Sequence, residues 1–229
     1  MRKRIVVLTG AGISAESGIR TFRDMGGLWE EYDVMEVASI EGWQKNPQLV
    51  LEFYNQRRRQ LKSAKPNAAH LAIANAENDF DIYVITQNVD NLHERAGSSK
   101  VMHLHDELTK ARPVNNPNNI IDIGYNDIKW GDNIDGYQLR PHVVWFGEDV
   151  PMLTEAAKIV QTAEIFAVVG TSLNVYPAAG LLDYAPKGCP IYLIDPNDVN
   201  VWRNDVTFIK DKASVGVPKM LKMVKDETA

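Results

Sequence analysis

Apolar residues along the chain fall into short runs separated by polar, helix-patterned stretches. The runs are Ile5–Thr9, Ile82–Thr86, Val101–Leu104, His142–Phe146, Ile165–Val169 and Ile191–Ile194, with Thr207–Ile209 a weaker candidate. Several are continuous rather than alternating, as expected of strands covered on both faces. Helical patterns lie between many of them, over Pro47–Lys62, Ala68–Asn78, Met152–Thr162 and Ala178–Tyr184. This alternation predicts an α/β fold built on a doubly wound, parallel, Rossmann-like sheet. No internal repeat is visible.

Two stretches break the alternation. Leu28 to about Pro66 contains no convincing strand and reads as a small helical module. Asp106 to Gln138 is rich in Asn, Asp, Gly and Pro and reads as an irregular module, often a functional feature at this length. Both interrupt the sheet without forming domains, so one domain is expected over residues 1–229, with modules at about 28–66 and 106–138.

Composition narrows the options. At 229 residues the chain can bury one sizeable core. The net charge of -5 gives no basic field for nucleic acid. The apolar run after Met1-Arg2-Lys3-Arg4 is too short for a signal sequence or a membrane span. Cys189 is the only cysteine, which excludes an internal disulfide and a cysteine-built zinc site. A cytoplasmic protein with no nucleic-acid or membrane partner is expected.

Chemistry-bearing residues gather where the strands end. Gly10-Ala11-Gly12 follows the first run and opens Ile13-Ser14-Ala15. Such a turn lets the backbone approach a pyrophosphate, and free amides in the next helical turn favour negative charge. A dehydrogenase would place an acid about 20 residues on, after a second strand. Glu30, Glu31 and Asp33 lie there, but no strand precedes them. The better-placed acid is Asp195, after Ile191–Ile194, either a ribose acceptor or a turn residue before Pro196.

Gln87-Asn88-Val89-Asp90 follows another strand, where Asn88 and Asp90 can cap a helix or face a ligand crevice. His103 and His105 are two apart and share a strand face. No nearby cysteine completes a tetrahedral metal set, so no metal is expected there. Gly170-Thr171-Ser172 offers amides and hydroxyls suited to phosphate or ribose. Tyr54 and Arg57 are three apart on one predicted helix. They read either as a phenol–guanidinium clamp for a carboxylate or as a core tyrosine beside a solvated Arg57-Arg58-Arg59 face. Arg58 and Arg59 fall on other faces and carry no expected role.

The stretch from Gly10 through Ser14 and Gly18 to Arg23 closely resembles the opening of the sirtuins, the NAD-consuming protein deacylases. Gln87-Asn88-Val89-Asp90-Asn91-Leu92-His93 and Arg140-Pro141-His142-Val143-Val144-Trp145-Phe146-Gly147-Glu148 match two further sirtuin motifs in order and spacing. The bacterial desuccinylase/deacetylase type is the nearest pattern. The resemblance implies NAD as cofactor and acyl-lysine proteins as substrates, with nicotinamide and O-acyl-ADP-ribose as products. It places Gly10, Ala11, Gly12, Ile13, Ala15, Glu16, Thr21 and Trp29 at the cofactor, with Phe22 and Arg23 in a loop that shields the reaction from water. Gln87, Asn88 and Val89 would position the nicotinamide ribose, and Asp90 would bond the nicotinamide amide. Gly170, Thr171 and Ser172 would hold phosphate or ribose, and Ala213 would cover the adenine. Asp195 would reach the adenosine ribose, where the family usually has Asn.

The same resemblance makes His105, not His103, the general base. Val144, Trp145, Phe146 and Gly147 would line the acyl-lysine tunnel, and Val175 would form the other edge for an added peptide strand. Tyr54 and Arg57 resemble the Tyr-x-x-Arg signature of sirtuins that remove succinyl or malonyl groups. Two departures stand out. The family usually continues Gly-Ser after the base, whereas this chain has Asp106-Glu107. A carboxylate there could raise the pKa of the base or orient its ring, and the glycine's conformational freedom is lost. The two Cys-x-x-Cys pairs that hold a structural zinc are absent, so the module is expected to be zinc-free and held by Ile120, Ile121, Ile123, Tyr125 and Trp130. A dehydrogenase on the same sheet, which would yield NADH, and an NAD- or acyl-lysine-binding module with little catalysis are the alternatives.

Overall fold

The computed structural model describes residues 2–21 and 32–228. The chain opens with β1 (Arg4–Thr9) and one helical turn, α1 (Gly12–Ala15). Helices α2 (Val34–Val37), α3 (Ile40–Lys45) and α4 (Pro47–Ser63) follow. Next come α5 (Ala68–Ala76), β2 (Asp81–Thr86), α6 (Leu92–Ala96) and β3 (Val101–His103). Four strands come next: β4 (Asp106–Pro113), β5 (Ile121–Asp122), β6 (Asn133–Ile134) and β7 (Tyr137–Val143). The chain ends with α7 (Leu153–Val160), β8 (Ile165–Val169), a 3-10 helix (Ala178–Tyr184), β9 (Ile191–Ile194), β10 (Val206–Ile209) and α8 (Ala213–Thr228). Among the described residues, no helix is long and apolar enough to cross a membrane.

The six-stranded sheet runs β10-β9-β8-β1-β2-β3 with every pairing parallel. Strand order reverses between β1 and β8, and doubly wound sheets bind ligands beyond the strand ends at that reversal. Alternate residues of β1 enter different cores. Val6 and Leu8 pack with Val160 of α7 and Leu181 of the 3-10 helix. Ile5 and Val7 pack with Ile73 of α5 and Val217 and Met220 of α8. Burial on both faces is why the run is continuously apolar.

The element that organises the flank is α4. Asn46 caps it by accepting the Leu49 amide at 3.2 Å, and Pro47 occupies the first turn, where no partner is needed for its missing N–H. Its inner face buries Val50, Leu51, Phe53, Tyr54, Asn55, Arg57, Arg58 and Leu61.

The segment from 106 to 143 is more ordered than its composition suggests. It forms an antiparallel sheet in the order β5-β4-β7-β6. The apolar run 142–146 is therefore not one strand of the main sheet: β7 starts at Tyr137, ends at Val143 and pairs with β4. The buried stretch of β7 includes Arg140 and His142, so hydrophobicity could not mark its start. The module's anchor also differs from the expected one. Ile120 and Trp130 are 46% and 56% exposed, and only Ile121 and Ile123 back a small cluster of Leu51, Ala111, Ile128 and Leu139. Tyr125 packs in a separate cluster with α4 residues Val50, Phe53 and Tyr54.

Arginines supply what apolar packing does not. Arg58 is fully buried, and its Nε and Nη1 donate to the backbone carbonyls of Asn126 (3.0 Å) and Leu108 (3.3 Å). Its Nη2 donates to Asn55 Oδ1, while Asn55 exchanges two 2.9 Å bonds with the Ile128 backbone. Arg59 forms an exposed pair with Asp127 and Glu52. Both arginines, expected to do nothing, join α4 to the antiparallel module.

The C-terminal helix α8 carries no clear sequence signal, because Gly216 and Pro218 lie inside it. The structure explains the glycine: a Cβ on Gly216 would stand 2.4 Å from Ile194 Cγ2. The helix can lie on β9 only with that side chain missing.

Candidate active site

The loops after β1 and β8 meet at the reversal of strand order. Gly10 N–H donates to Val169 O at 3.0 Å, and Gly12 N–H donates to Gly170 O at 2.9 Å. A Cβ on Gly10 would sit 2.6 Å from Thr171 Cβ, and one on Gly12 would sit 2.7 Å from Gly170 Cα. The glycine pair is thus required by backbone-to-backbone contact, and its amides are engaged rather than free. The amides of Ile13 and Ser14 close the local turn on Gly10 O and Ala11 O.

A directed polar chain lines this crevice. Asn88 Nδ2 donates to Gly10 O (3.1 Å) and Ser14 Oγ (3.2 Å), and Ser14 Oγ donates to Asp90 Oδ2 at 2.9 Å. Asp90 also accepts the Leu92 amide at Oδ1 at 3.1 Å, closing a turn just before α6, whose N-cap is Asn91. Burial raises the pKa of the Asp90 carboxyl, against the pull of the Leu92 amide and the Ser14 hydroxyl. Gln87 Nε2 donates to Thr171 Oγ1 at 3.2 Å, linking the loops after β2 and β8.

The two histidines differ sharply. His103 spends both ring nitrogens, Nδ1 on Asn88 O (2.9 Å) and Nε2 on Glu94 (2.8 Å). Burial works against its charged form, but the hydrogen bond and charge of Glu94 win and the pKa is raised. His105 Nδ1 lies 2.8 Å from Gln87 O. A carbonyl only accepts, so Nδ1 carries the proton and Nε2 keeps the lone pair. Burial lowers the His105 pKa, with Gln87 opposing, which favours the neutral ring.

The Asp106 carboxylate faces His142 at 3.6 Å. The turn itself survives, because Asp106 takes φ 58°, a left-handed conformation that Asp tolerates better than most residues. Glu94, His103 and Glu107 converge closely enough to hold a cation, but Glu94 and His103 already bond each other and Lys110 pairs with Glu107.

Tyr54 and Arg57 share the buried face of α4. Burial pushes the Tyr54 phenol up to about 12, with Arg57 opposing. Burial lowers the Arg57 pKa, while Tyr54 and Asp90 pull it back. The Trp145 ring lies 6.4 Å from that of Tyr54 and 5.5 Å from that of Trp43. Val144 N–H bonds His105 O at 3.1 Å and Phe146 N–H bonds Ala38 O at 2.9 Å, so residues 144–146 bridge the imidazole-bearing turn and the helical flank. Phe146 and Gly147 are exposed, and Val175 is half-buried beyond β8.

At the far side, Glu16 accepts the Ser214 amide (3.0 Å) and hydroxyl (2.8 Å), placing the turn after Ala15 beside Ala213. Asp195 caps its own turn by accepting the Asn197 amide at 2.9 Å. Ser172 is exposed next to buried Thr171, and Thr21 ends the described part of its loop. Phe22, Arg23 and Trp29 lie outside the described residues.

Polar loops meeting at the strand-order reversal of such a sheet define a Rossmann-like, dinucleotide-binding α/β protein. The donors and acceptors present, with Asn88 Oδ1, the Asp90 carboxylate and His105 Nε2 retaining acceptor capacity, fit a carboxamide and ribose hydroxyls. The Sir2 family matches residues 10–177, and the chain belongs to that family. A Bacteroides thetaiotaomicron protein named NAD-dependent protein deacylase is 52% identical, over 97% of this chain and 98% of its own. A Sir2 homologue solved with ADP-ribose superposes with a TM-score of 0.91 at 37% identity, covering 99% of this chain and 94% of the other. A Sir2 homologue in complex with NAD gives 0.88 at 38% identity, covering 100% and 91%.

Sequence reasoning passed over Ser14, the middle of the Asn88–Ser14–Asp90 chain. Its signal was a hydroxyl inside a short helix otherwise made of Gly, Ile and Ala. Arg140 and Glu148 were visible within a motif but had no role.

Proposed function

We propose that the protein is an NAD-dependent deacylase of lysine side chains in proteins, releasing nicotinamide and O-acyl-ADP-ribose. Membership of the Sir2 family supports the activity, and the 2.8 Å contact between His105 Nδ1 and Gln87 O is the observation that carries the mechanism. Bound NAD supplies an electrophilic ribose carbon with nicotinamide as its leaving group. Asp90 and Asn88 bind the carboxamide and ribose from the floor of the crevice. His105, its Nδ1 proton held by Gln87 O, takes a ribose hydroxyl proton at Nε2. Trp145 and its neighbours exclude water from the acyl group. Gly10, Gly12, Thr171 and Ser172 shape the phosphate side, and Glu16, Asp195 and Ala213 the adenosine side.

The acyl groups are acetyl and, through Tyr54 and Arg57, succinyl and malonyl. A buried phenol and guanidinium on one helix face suit a carboxylate. The protein acts in the cytoplasm and needs no zinc, since one cysteine cannot supply a cysteine-built site.

The test is a panel of acetyl-, malonyl- and succinyl-lysine peptides with NAD, read by nicotinamide release. Wild type is expected to turn over all three. Arg57→Met is expected to lose about 100-fold on the two acidic groups, the worth of a charge-assisted pair, and little on acetyl. Equal loss on all three would assign Arg57 to packing. No turnover by wild type would remove the deacylase reading.

A further inference from the structure

Arg140 is 7% exposed and lies on β7, one strand end away from the segment 144–147. Its guanidinium grips Glu148 with two bonds, Nη1 to Oε1 at 2.7 Å and Nη2 to Oε2 at 3.0 Å. Nη2 and Nε also donate to the carbonyls of Val143 (3.0 Å) and Pro141 (3.3 Å). The same guanidinium stacks on Trp145, with Cζ 3.3 Å from the ring centroid. Glu148 turns back to accept the Trp145 amide at 2.8 Å. The indole is therefore held at two points, its backbone by a carboxylate and its face by a cation. Both charges of that pair act on the Tyr54 phenol, whose ring lies 6.4 Å from that of Trp145, Arg140 lowering its pKa and Glu148 raising it.

We propose that Arg140 and Glu148 form a positioning pair that sets acyl specificity, fixing the Trp145 indole as a wall beside Tyr54 and cancelling a second positive charge in that wall. The inference rests on the deacylase reading above. Its logic is electrostatic and steric together. Arg112 Nη2 also donates to Glu148 Oε1 at 3.4 Å, so Arg140 and Arg112 unbalanced by Glu148 would leave excess positive charge near the Tyr54–Arg57 face and favour acidic acyl groups. An indole released from the pair would widen the pocket and weaken grip on every acyl chain. The carboxylate thus keeps the site open to an uncharged acyl group as well as a charged one.

Glu148→Gln separates the two effects, since the amide oxygen can still accept the Trp145 N–H but carries no charge. Steady-state kinetics with acetyl- and succinyl-lysine peptides are expected to show the succinyl-to-acetyl ratio of kcat/KM rising severalfold, with KM for NAD unchanged. Glu148→Ala, which also removes the acceptor of the Trp145 amide, is expected to raise KM for both peptides about tenfold. A Glu148→Gln protein whose ratio stays at the wild-type value, or whose NAD and peptide constants worsen in parallel, would overturn the proposal. If thermal melts show either Glu148 variant unfolded, Trp145→Phe carries the test. It must raise peptide KM while leaving KM for NAD alone, and an unchanged peptide KM would sink the wall. Wild-type inactivity on both peptides would instead mark failure of the deacylase reading.

Discussion

The two sheets of this protein are held by different mixtures of apolar burial and directed bonds. The parallel sheet buries apolar residues on both faces, Val6 and Leu8 on one side and Ile5 and Val7 on the other. The antiparallel module owns a cluster of four buried apolar residues, Leu51, Ala111, Ile128 and Leu139, one of which comes from α4, and it lends Leu108 and Val143 to the cluster around Val50, Phe53 and Tyr54. Arg58 adds directed bonds to this smaller apolar area, fully buried and bonded to two backbone carbonyls and Asn55. A non-directional force suffices where area is large. A small sheet with little apolar area depends on a few directed bonds, each costly to lose.

That contrast can be broken most forcefully at Arg58. Arg58→Met strands the carbonyls of Leu108 and Asn126, and a loss of about 4 kcal/mol is expected, in the range for removing one partner from a buried network. Hydrogen exchange should show residues 106–143 opening before β1, β2 and β8. Uniform protection across both sheets would show that the module does not depend on this one side chain.

Acid gives the next largest effect and probes the sheet side. Burial pushes His70 down to about 4, with Glu94 opposing weakly, so the folded state holds it neutral. The unfolded chain protonates it near pH 6.5. Stability is therefore complete above about pH 6.5 and falls toward pH 4 by about 1.4 kcal/mol per unit from this residue. His142, in the module, is pushed to about 4 by burial and then by Arg112, and titrates in the same direction. Urea midpoints of wild type and His70→Gln between pH 7 and pH 4 check this. The variant's midpoint should fall less steeply, and parallel slopes would discount the imidazole.

How much could be read beforehand follows the same division. Residues 5–9, 82–86 and 165–169 announce their strands because every position but the half-buried Tyr83 is buried. The extent of α4 was legible too, read as Pro47–Lys62 from its helical pattern and observed as Pro47–Ser63. β7 was not, because Arg140 and His142 occupy buried positions where a pattern reader looks for Val or Ile. Nor was the function of Arg58, since three consecutive arginines look alike until burial separates them. At the site, His105 could be preferred over His103 only by resemblance, whereas the physical difference is that Glu94 takes the free nitrogen of His103. α8 stayed hidden because Gly216, a helix breaker by propensity, is there to clear Ile194.

The smallest effect sharpens the comparison at the seam between the sheets. Asp106 holds φ 58° without being glycine. Asp106→Gly should relieve that conformation and stabilise the chain by about 0.5 kcal/mol, despite the lost contact with His142. A thermal melt that moves downward would mean the carboxylate contributes more than the strain removes.

One consequence concerns the order in which the molecule can be assembled. β1 sits between β2 and β8, and its glycine loop locks onto the carbonyls of Val169 and Gly170. Glu16 then waits for Ser214, 198 positions away. During synthesis the opening segment must therefore emerge long before its last neighbours exist, and it stays half-dressed until they arrive. Long-range closure of this kind slows folding, and the crevice between the loops is among the last features the growing polypeptide can complete.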